Sequence, residues 1–217
     1  MLDQAALLER VMLLIPLILS LTVHEFFHAW TAWRLGDDTA ARMGRLTLNP
    51  LPHIDVVGTI LLPLAGVPFG WAKPVPVDVR KIRRGMSMTT GNILISAAGP
   101  LSNLGLAVLT SVAYGLLYRY APGTLARGHG TRELLAILIQ VNVALAVFNL
   151  LPIPPLDGSH VAEALVPYRF RGAWEAFARF SPFALLAFFF FGRGLLLGPT
   201  SWVLGVMQSL IQTIVGA

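Results

Sequence analysis

The chain has 217 residues, 55% of them hydrophobic and only 12% charged, and its mean hydropathy is +0.69. Because soluble proteins carry roughly 25% charged residues, this composition excludes a soluble globule and predicts an integral membrane protein formed by a single domain, residues 1–217. The absence of cysteine excludes disulfides, thiolate metal ligands and a cysteine nucleophile, and we expect the net charge of +5 to reflect membrane orientation rather than nucleic-acid binding.

The first predicted element is a helix from residue 5 to about residue 35, nearly all apolar between residues 11 and 23 and therefore long enough to span a membrane. A signal peptide is disfavoured, because no small-residue cleavage site follows the apolar run. The last third of this helix carries His24-Glu25-Phe26-Phe27-His28. We therefore expect the motif to lie on a mature transmembrane helix.

The spacing of this motif indicates metal-dependent hydrolysis. On a helix, His24 and His28 project from one face with Cβ atoms about 5–6 Å apart, so both imidazoles can bind one ion. Glu25 is offset by roughly 100° around the axis, which disfavours it as a ligand and suits it to act as a general base on nearby water. Zinc would lower the pKa of that water from about 15.7 towards 7, while Glu25 takes the proton and passes it to the leaving amine.

From residue 36 to residue 85 the helical pattern breaks, and we expect irregular or β-rich structure associated with the membrane. Residues 44–48 alternate like a short strand. Residues 56–67 are apolar but number only about 12, so we expect a re-entrant or interfacial segment rather than a span. Trp71 suits the membrane interface.

Two further spanning helices are predicted, from residue 92 to about residue 118 and from residue 134 to residue 151. The first contains Ala98-Gly99-Pro100-Leu101-Ser102-Asn103, whose small residues allow close helix approach, so packing is its main explanation. The second places Asn142 at membrane depth.

The third helix should end abruptly, because three prolines stand between residues 152 and 155. Each disfavours α geometry in the preceding residue, so residues 151–156 should be extended. Unwound backbone at this depth is tolerated only where it is buried in protein or lines a cavity. Asn149, just before the break, either donates its amide to a peptide oxyanion or satisfies a freed carbonyl. Both roles remain open.

The predicted fold is an all-α polytopic membrane protein. It has three predicted spanning helices within about residues 5–158, additional C-terminal transmembrane segments at about residues 182–216, and a small β-rich or irregular membrane-associated loop. The C-terminal apolar segments, residues 183–197 and 201–215, are separated by Gly198-Pro199 and predict either two helices or one broken helix.

Positive charge predicts the orientation. The first loop and the helix end before it hold most of it, at Arg34, Arg42, Arg45, Lys73, Arg80, Lys81, Arg83 and Arg84. The opposite loop holds only Arg119, Arg127 and Arg132. Since cytoplasmic loops are enriched in Lys and Arg, the motif end of the first helix should be cytoplasmic, and alternation brings Asp157 to the same face. We expect a multi-pass protein of the inner (plasma) membrane.

Catalytic zinc usually has three protein ligands, so a third must be histidine or carboxylate in a chain without cysteine. We prefer Asp157, because an ionisable group beside a broken membrane helix is costly unless it is paired or bound to metal. Its alternative role is as the N-cap of a short helix predicted from Ser159. His160 is a less favoured ligand. His53 is either a further ligand or a loop histidine paired with Asp55, and we favour a structural or supporting role.

Two motifs together resemble the site-2 protease family of intramembrane zinc metalloproteases. They are His24-Glu25-Phe26-Phe27-His28 and Asn149-Leu150-Leu151-Pro152-Ile153-Pro154-Pro155-Leu156-Asp157-Gly158. Residues 44–50, 53–55, 71–76 and 98–103 also resemble the compact prokaryotic branch of this family, which lacks PDZ and CBS domains. The resemblance covers about residues 21–158.

The resemblance implies that His24, His28 and Asp157 bind one zinc ion per chain, that Glu25 activates water, and that Asn149 positions the substrate or stabilises the oxyanion. It also implies a three-helix catalytic core, about residues 5–158, with the zinc site within the membrane near its cytosolic side. The implied substrates are transmembrane helices, which must unwind before they are cut.

A non-proteolytic zinc-binding membrane protein that binds partner helices is the main alternative. A metal transporter is disfavoured, because it needs polar residues along several helices, whereas here they cluster at one level. The sequence does not indicate an oligomeric state.

Overall fold

The computed structural model describes residues 4–67, 70–126 and 130–216, and the regular structure of these residues is entirely helical. The helices are α1 (Gln4–Leu35), α2 (Thr39–Arg42), α3 (Leu62–Leu64), α4 (Met88–Tyr120), α5 (Thr131–Asn149), α6 (Asp157–Leu165), α7 (Arg171–Phe191) and α8 (Arg193–Val215). Arg127, which the orientation argument counts, lies outside the described residues. The prediction of an all-α fold is confirmed.

Four helices of the described residues are long and apolar enough to cross a membrane. They are the spans Arg10–Leu35, Met88–Tyr120, Thr131–Asn149 and Gly194–Val215, which correspond to α1, α4, α5 and α8. The chain is therefore a multi-pass membrane protein. Helix α4 starts four residues before its predicted start, because the Ser87 side chain caps it by accepting a hydrogen bond from Thr90 N–H (3.0 Å).

The helices α1, α4 and α5 pack against one another and form the centre of the molecule. Helix α8 joins them, since Met207 is buried in a cluster with Ala107 of α4 and with Ile139 and Val143 of α5. Burial of these apolar side chains holds α8 against the same core as the first three spans.

The predicted break at Gly198-Pro199 is wrong. Helix α7 ends at Phe191, Gly192 separates it from α8, and Pro199 lies inside α8. A Cβ atom on residue 192 would lie 2.4 Å from the Phe188 ring, so this turn requires glycine. Among the described residues, α8 is the one candidate span of the C-terminal region.

The loop between α1 and α4 is irregular, as predicted, but the expected strand at residues 44–48 is absent from its described residues. The alternating side chains face no partner strand; instead Arg45 N–H bonds back to the Ala40 carbonyl (2.8 Å). Residues 56–61 form a π-helical turn that runs into α3. These two segments together are too short to span a bilayer.

Residues 70–77 belong to no helix and reach α1 at Glu25; they are called the extended segment below, because Pro74 and Pro76 favour an extended backbone. Buried Arg45 anchors it by donating to the carbonyls of Lys73 and Pro74, and Lys73 N–H donates to the His53 carbonyl (2.9 Å). Buried Asp37 accepts from Asp78 N–H (2.6 Å) just beyond the segment. These bonds hold the segment in a defined position beside the motif on α1.

Candidate metal centre

The two histidines of α1 face each other in the protein interior. Their Nε2 atoms lie 3.0 Å apart, and the residues are 5% and 7% exposed. His28 Nδ1 lies 2.7 Å from the Ile95 carbonyl, and His24 Nδ1 lies 2.7 Å from Asn103 Oδ1. Both partners are acceptors, so each Nδ1 carries the proton and each Nε2 presents a lone pair.

Asp157 completes this cluster. Its Oδ2 atom lies 3.2 Å from His24 Nε2 and its Oδ1 atom lies 3.3 Å from His28 Nε2. The three ligand atoms lie within 4.8 Å of one another. Oδ2 is buried, and the 3.2 Å approach lacks hydrogen-bond geometry, so this oxygen has no hydrogen-bond partner among the described residues.

Two lone pairs and a carboxylate that face one point repel one another unless a cation lies among them. Two imidazole nitrogens and one carboxylate oxygen are also a usual protein ligand set of catalytic zinc. The side chains of His24, His28 and Asp157 therefore fit a zinc ion.

The alternative role of Asp157 as an N-cap is wrong. Helix α6 starts at Asp157 itself, two residues before its predicted start, and its N-cap is Leu156. No side chain of the described residues caps it, and the Ser159 hydroxyl donates to the Leu156 carbonyl (2.6 Å). The Asp157 carboxylate is turned towards the histidines instead.

The segment that delivers Asp157 is a turn rather than the predicted extended stretch. Leu156 N–H donates to the Ile153 carbonyl (2.9 Å), and the peptide between Pro154 and Pro155 is cis. A Cβ atom on residue 158 would lie 2.2 Å from the Leu150 oxygen. Glycine at position 158 therefore lets the start of α6 pack directly against the end of α5.

Glu25 lies beside the cluster without belonging to it. Its carboxylate is buried, and Oε2 accepts a hydrogen bond from Val75 N–H (2.8 Å) on the extended segment. A cavity of about 570 Å³ is lined by Glu25, the three clustered side chains and Asn149. Both carboxylates therefore face one chamber, in different positions relative to the histidines.

Asn149 makes the more local of its two predicted interactions. Its Nδ2 donates to the Leu145 carbonyl one turn earlier on α5 (3.0 Å), and the residue lines the cavity. This bond satisfies a helix carbonyl. Its role towards a substrate stays a prediction.

The other two histidines considered lie outside the cluster. His53 is fully buried, and its Nε2 donates to the Thr47 carbonyl (2.9 Å), within the loop that positions the extended segment. The predicted pairing with Asp55 is wrong, because that carboxylate accepts from Gly58 N–H (2.8 Å). His160 is exposed and lines the cavity, outside the three-residue cluster.

Gly99 and Asn103 of α4 are site residues that the sequence analysis assigned to packing. A Cβ atom on residue 99 would lie 2.3 Å from His28 Nε2 and 2.6 Å from His24 Cε1. Only glycine leaves this space for the imidazoles. The small-residue motif at positions 98–103 marked these residues in the sequence. Spacing within one helix, however, does not indicate which other helix the motif contacts.

Comparison with known proteins agrees with this geometry. Residues 117–191 match the peptidase family M50. "Putative zinc metalloprotease YwhC" of Bacillus subtilis is 47% identical over 156 residues, which are 71% of this chain and 69% of that protein. "Putative zinc metalloprotease Rip2" of Mycobacterium tuberculosis is 35% identical over 204 residues, 93% of this chain and 73% of that protein. No solved structure matches.

Proposed function

Because this chain belongs to peptidase family M50, the site-2 protease family, and is a zinc metalloprotease of the membrane, we propose that it is an endopeptidase acting on membrane proteins. It cuts peptide bonds within or near their transmembrane segments. The observation that supports this most is the position of the cluster, buried among helices that are long enough to span a bilayer.

We assign one zinc ion per chain to His24, His28 and Asp157. Support comes from the two facing Nε2 lone pairs and from the buried Asp157 Oδ2, which a cation would satisfy. When bound, zinc supplies Lewis acidity that polarises the scissile carbonyl and lowers the pKa of water.

Glu25 is the general base in this proposal. Its Oε2 is held by Val75 N–H, which leaves Oε1 to accept a proton from water in the cavity. The same carboxyl then returns that proton to the leaving amine, so that the peptide bond breaks with a net addition of one water molecule. Burial of Glu25 keeps this exchange away from bulk solvent.

The substrate must be locally unwound where it is cut. In an intact helix each backbone carbonyl is hydrogen-bonded and surrounded by side chains, so neither Glu25 nor an ion can reach it. The cavity offers polar side chains, among them Asn92 and Asn149, to a peptide that has lost its helical bonds. Asn149 is proposed to orient the peptide or to donate to the oxyanion.

The orientation and domain organisation are also proposals. The concentration of Lys and Arg in the loop between α1 and α4 supports a cytoplasmic position for this loop and for the zinc site near it, in the plasma membrane. The burial of Met207 of α8 against α4 and α5 supports one peptidase domain over residues 1–217.

The test compares membrane fragments from cells that carry the wild type or Glu25→Gln, followed by cleavage of the identified substrate by purified protein. Glu25→Gln should keep about one zinc per chain and lose cleavage by about 10²–10⁴-fold. Glu133→Gln, an exposed change of the same kind on α5, should cleave normally. Undiminished cleavage by Glu25→Gln would contradict the role of Glu25 as general base. Cleavage of soluble peptides alone would contradict the proposal that the substrates are transmembrane segments.

A further inference from the structure

Three buried polar side chains from three helices meet behind His24. They are Ser20 of α1, Asn103 of α4 and Asn142 of α5, and each is fully buried. Polar groups at this depth in a membrane are costly unless every one is hydrogen-bonded. The donor and the acceptor of each hydrogen bond among these side chains can therefore be assigned.

The arrangement begins at Asn142. Its Nδ2 donates to the Ser20 hydroxyl and to the Leu138 carbonyl, both at 2.8 Å, while the Ser20 hydroxyl donates to the Pro16 carbonyl (2.7 Å). Because a backbone carbonyl only accepts hydrogen bonds, the Asn142 side-chain atom that faces the Leu138 carbonyl must be the amide nitrogen. Its Oδ1 must then face Asn103.

Asn103 is oriented in the same way. Its Nδ2 donates to Asn142 Oδ1 (2.8 Å) and to the Ser20 carbonyl (3.2 Å), so its Oδ1 faces His24 Nδ1 at 2.7 Å. An amide oxygen accepts only from a protonated Nδ1. His24 is thereby held in the tautomer whose Nε2 has a free lone pair.

We propose that Asn103, oriented by Asn142, is a positioning residue that fixes the tautomer and ring orientation of His24 and so sets the zinc affinity. The inference rests on the zinc site proposed above. The two ligands differ in this respect, because His28 Nδ1 is held by the Ile95 backbone carbonyl, which no side-chain substitution removes. His24 is held by a side chain and is therefore the ligand whose support is open to substitution.

The competing explanation is that Asn103 only joins helices, as interhelical hydrogen bonds do in membranes. Two substitutions separate these explanations. Asn103→Leu keeps the approximate volume and removes the acceptor for His24. Asn103→Asp keeps an oxygen for His24 Nδ1, as in the carboxylate–histidine–zinc arrangement, but loses the donor to Asn142 and to the Ser20 carbonyl.

The experiment measures the affinity of the metal-free full-length protein in detergent for Zn²⁺, by competition with a chelator. Asn103→Leu should weaken Zn²⁺ binding about 10–100-fold, which is the usual effect of losing the partner of a ligating histidine. Asn103→Asp should bind Zn²⁺ much more tightly than Asn103→Leu. Ser111→Ala, a buried change on the same helix whose hydroxyl donates to the Ala107 carbonyl, should bind as the wild type does.

A second pair tests the role of Asn142. Asn142→Ala should weaken Zn²⁺ binding by less than Asn103→Leu, and should have no further effect when combined with it, because both act through His24. If Asn103→Leu cannot be purified, Asn142→Ala and Asn103→Asp decide the matter. Unchanged affinity in Asn142→Ala, or equal losses in the two Asn103 variants, would overturn the proposal. A wild type that binds no Zn²⁺ would instead overturn the proposed function.

Discussion

His24 and His28 lie on one uninterrupted helix, whereas Asp157 stands at the first residue of a helix that follows a turn rich in proline. The histidine pair needs only helical periodicity to share a face. The carboxylate needs the end of α5, the turn and the close approach at Gly158 to arrive at the same point. The first half of the centre is therefore local in origin, and the second depends on packing between distant segments.

The largest expected effect comes from removing the Asp157 carboxylate, whose position depends on packing between distant segments. Asp157→Asn takes away the one carboxylate among the three proposed ligands. We expect it to weaken zinc binding and cleavage by more than the roughly 10–100-fold that loss of a histidine's supporting partner costs. Zinc per chain, measured on purified protein, checks this. Asp38→Asn, a half-exposed change at the N-cap of α2, should retain zinc, and full zinc content in Asp157→Asn would contradict the proposed ligand set.

A smaller effect is expected at Gly99 of α4, which packs against both histidines of α1. Gly99→Ala places a methyl group against both imidazoles, and overpacking of this kind costs roughly 1–3 kcal/mol. We expect weaker zinc binding and a lower melting temperature. Gly105→Ala lies on the same helix, where an added Cβ meets no atom of the described residues within 4 Å, so it should change neither. Equal behaviour of the two variants would mean that α4 does not confine the histidines.

The smallest effect is expected from a change beside Glu25, the proposed general base. Val75→Pro removes the N–H that holds Glu25 Oε2, and its neighbours Pro74 and Pro76 already favour an extended backbone. Loss of one hydrogen bond to a charged group should lower kcat roughly tenfold and leave zinc content unchanged. Val75→Ala keeps the N–H and serves as the control. If the two variants have the same kcat, the extended segment does not position Glu25.

Prediction from the sequence succeeded where the signal was a period within one segment. The long apolar runs became α1, α4 and α5, and the His24 to His28 spacing placed both imidazoles on one face. It failed where alternation needs a partner strand, at residues 44–48. It also failed at the C-terminal break, where the position of the turn depends on packing at Gly192 rather than on the more conspicuous Pro199.

By itself, then, the sequence determined the membrane class from its composition, the shared face of the histidines from their spacing, and the end of α5 from its prolines. Only the tertiary structure decided how closely Asp157 approaches the histidines, why residue 99 must be glycine, and that Asn103 and Val75 contact His24 and Glu25. The physical reason is range. Periodicity and proline act on residues only a few positions away, whereas hydrogen bonds between the helices join positions that are 39 to 122 residues apart.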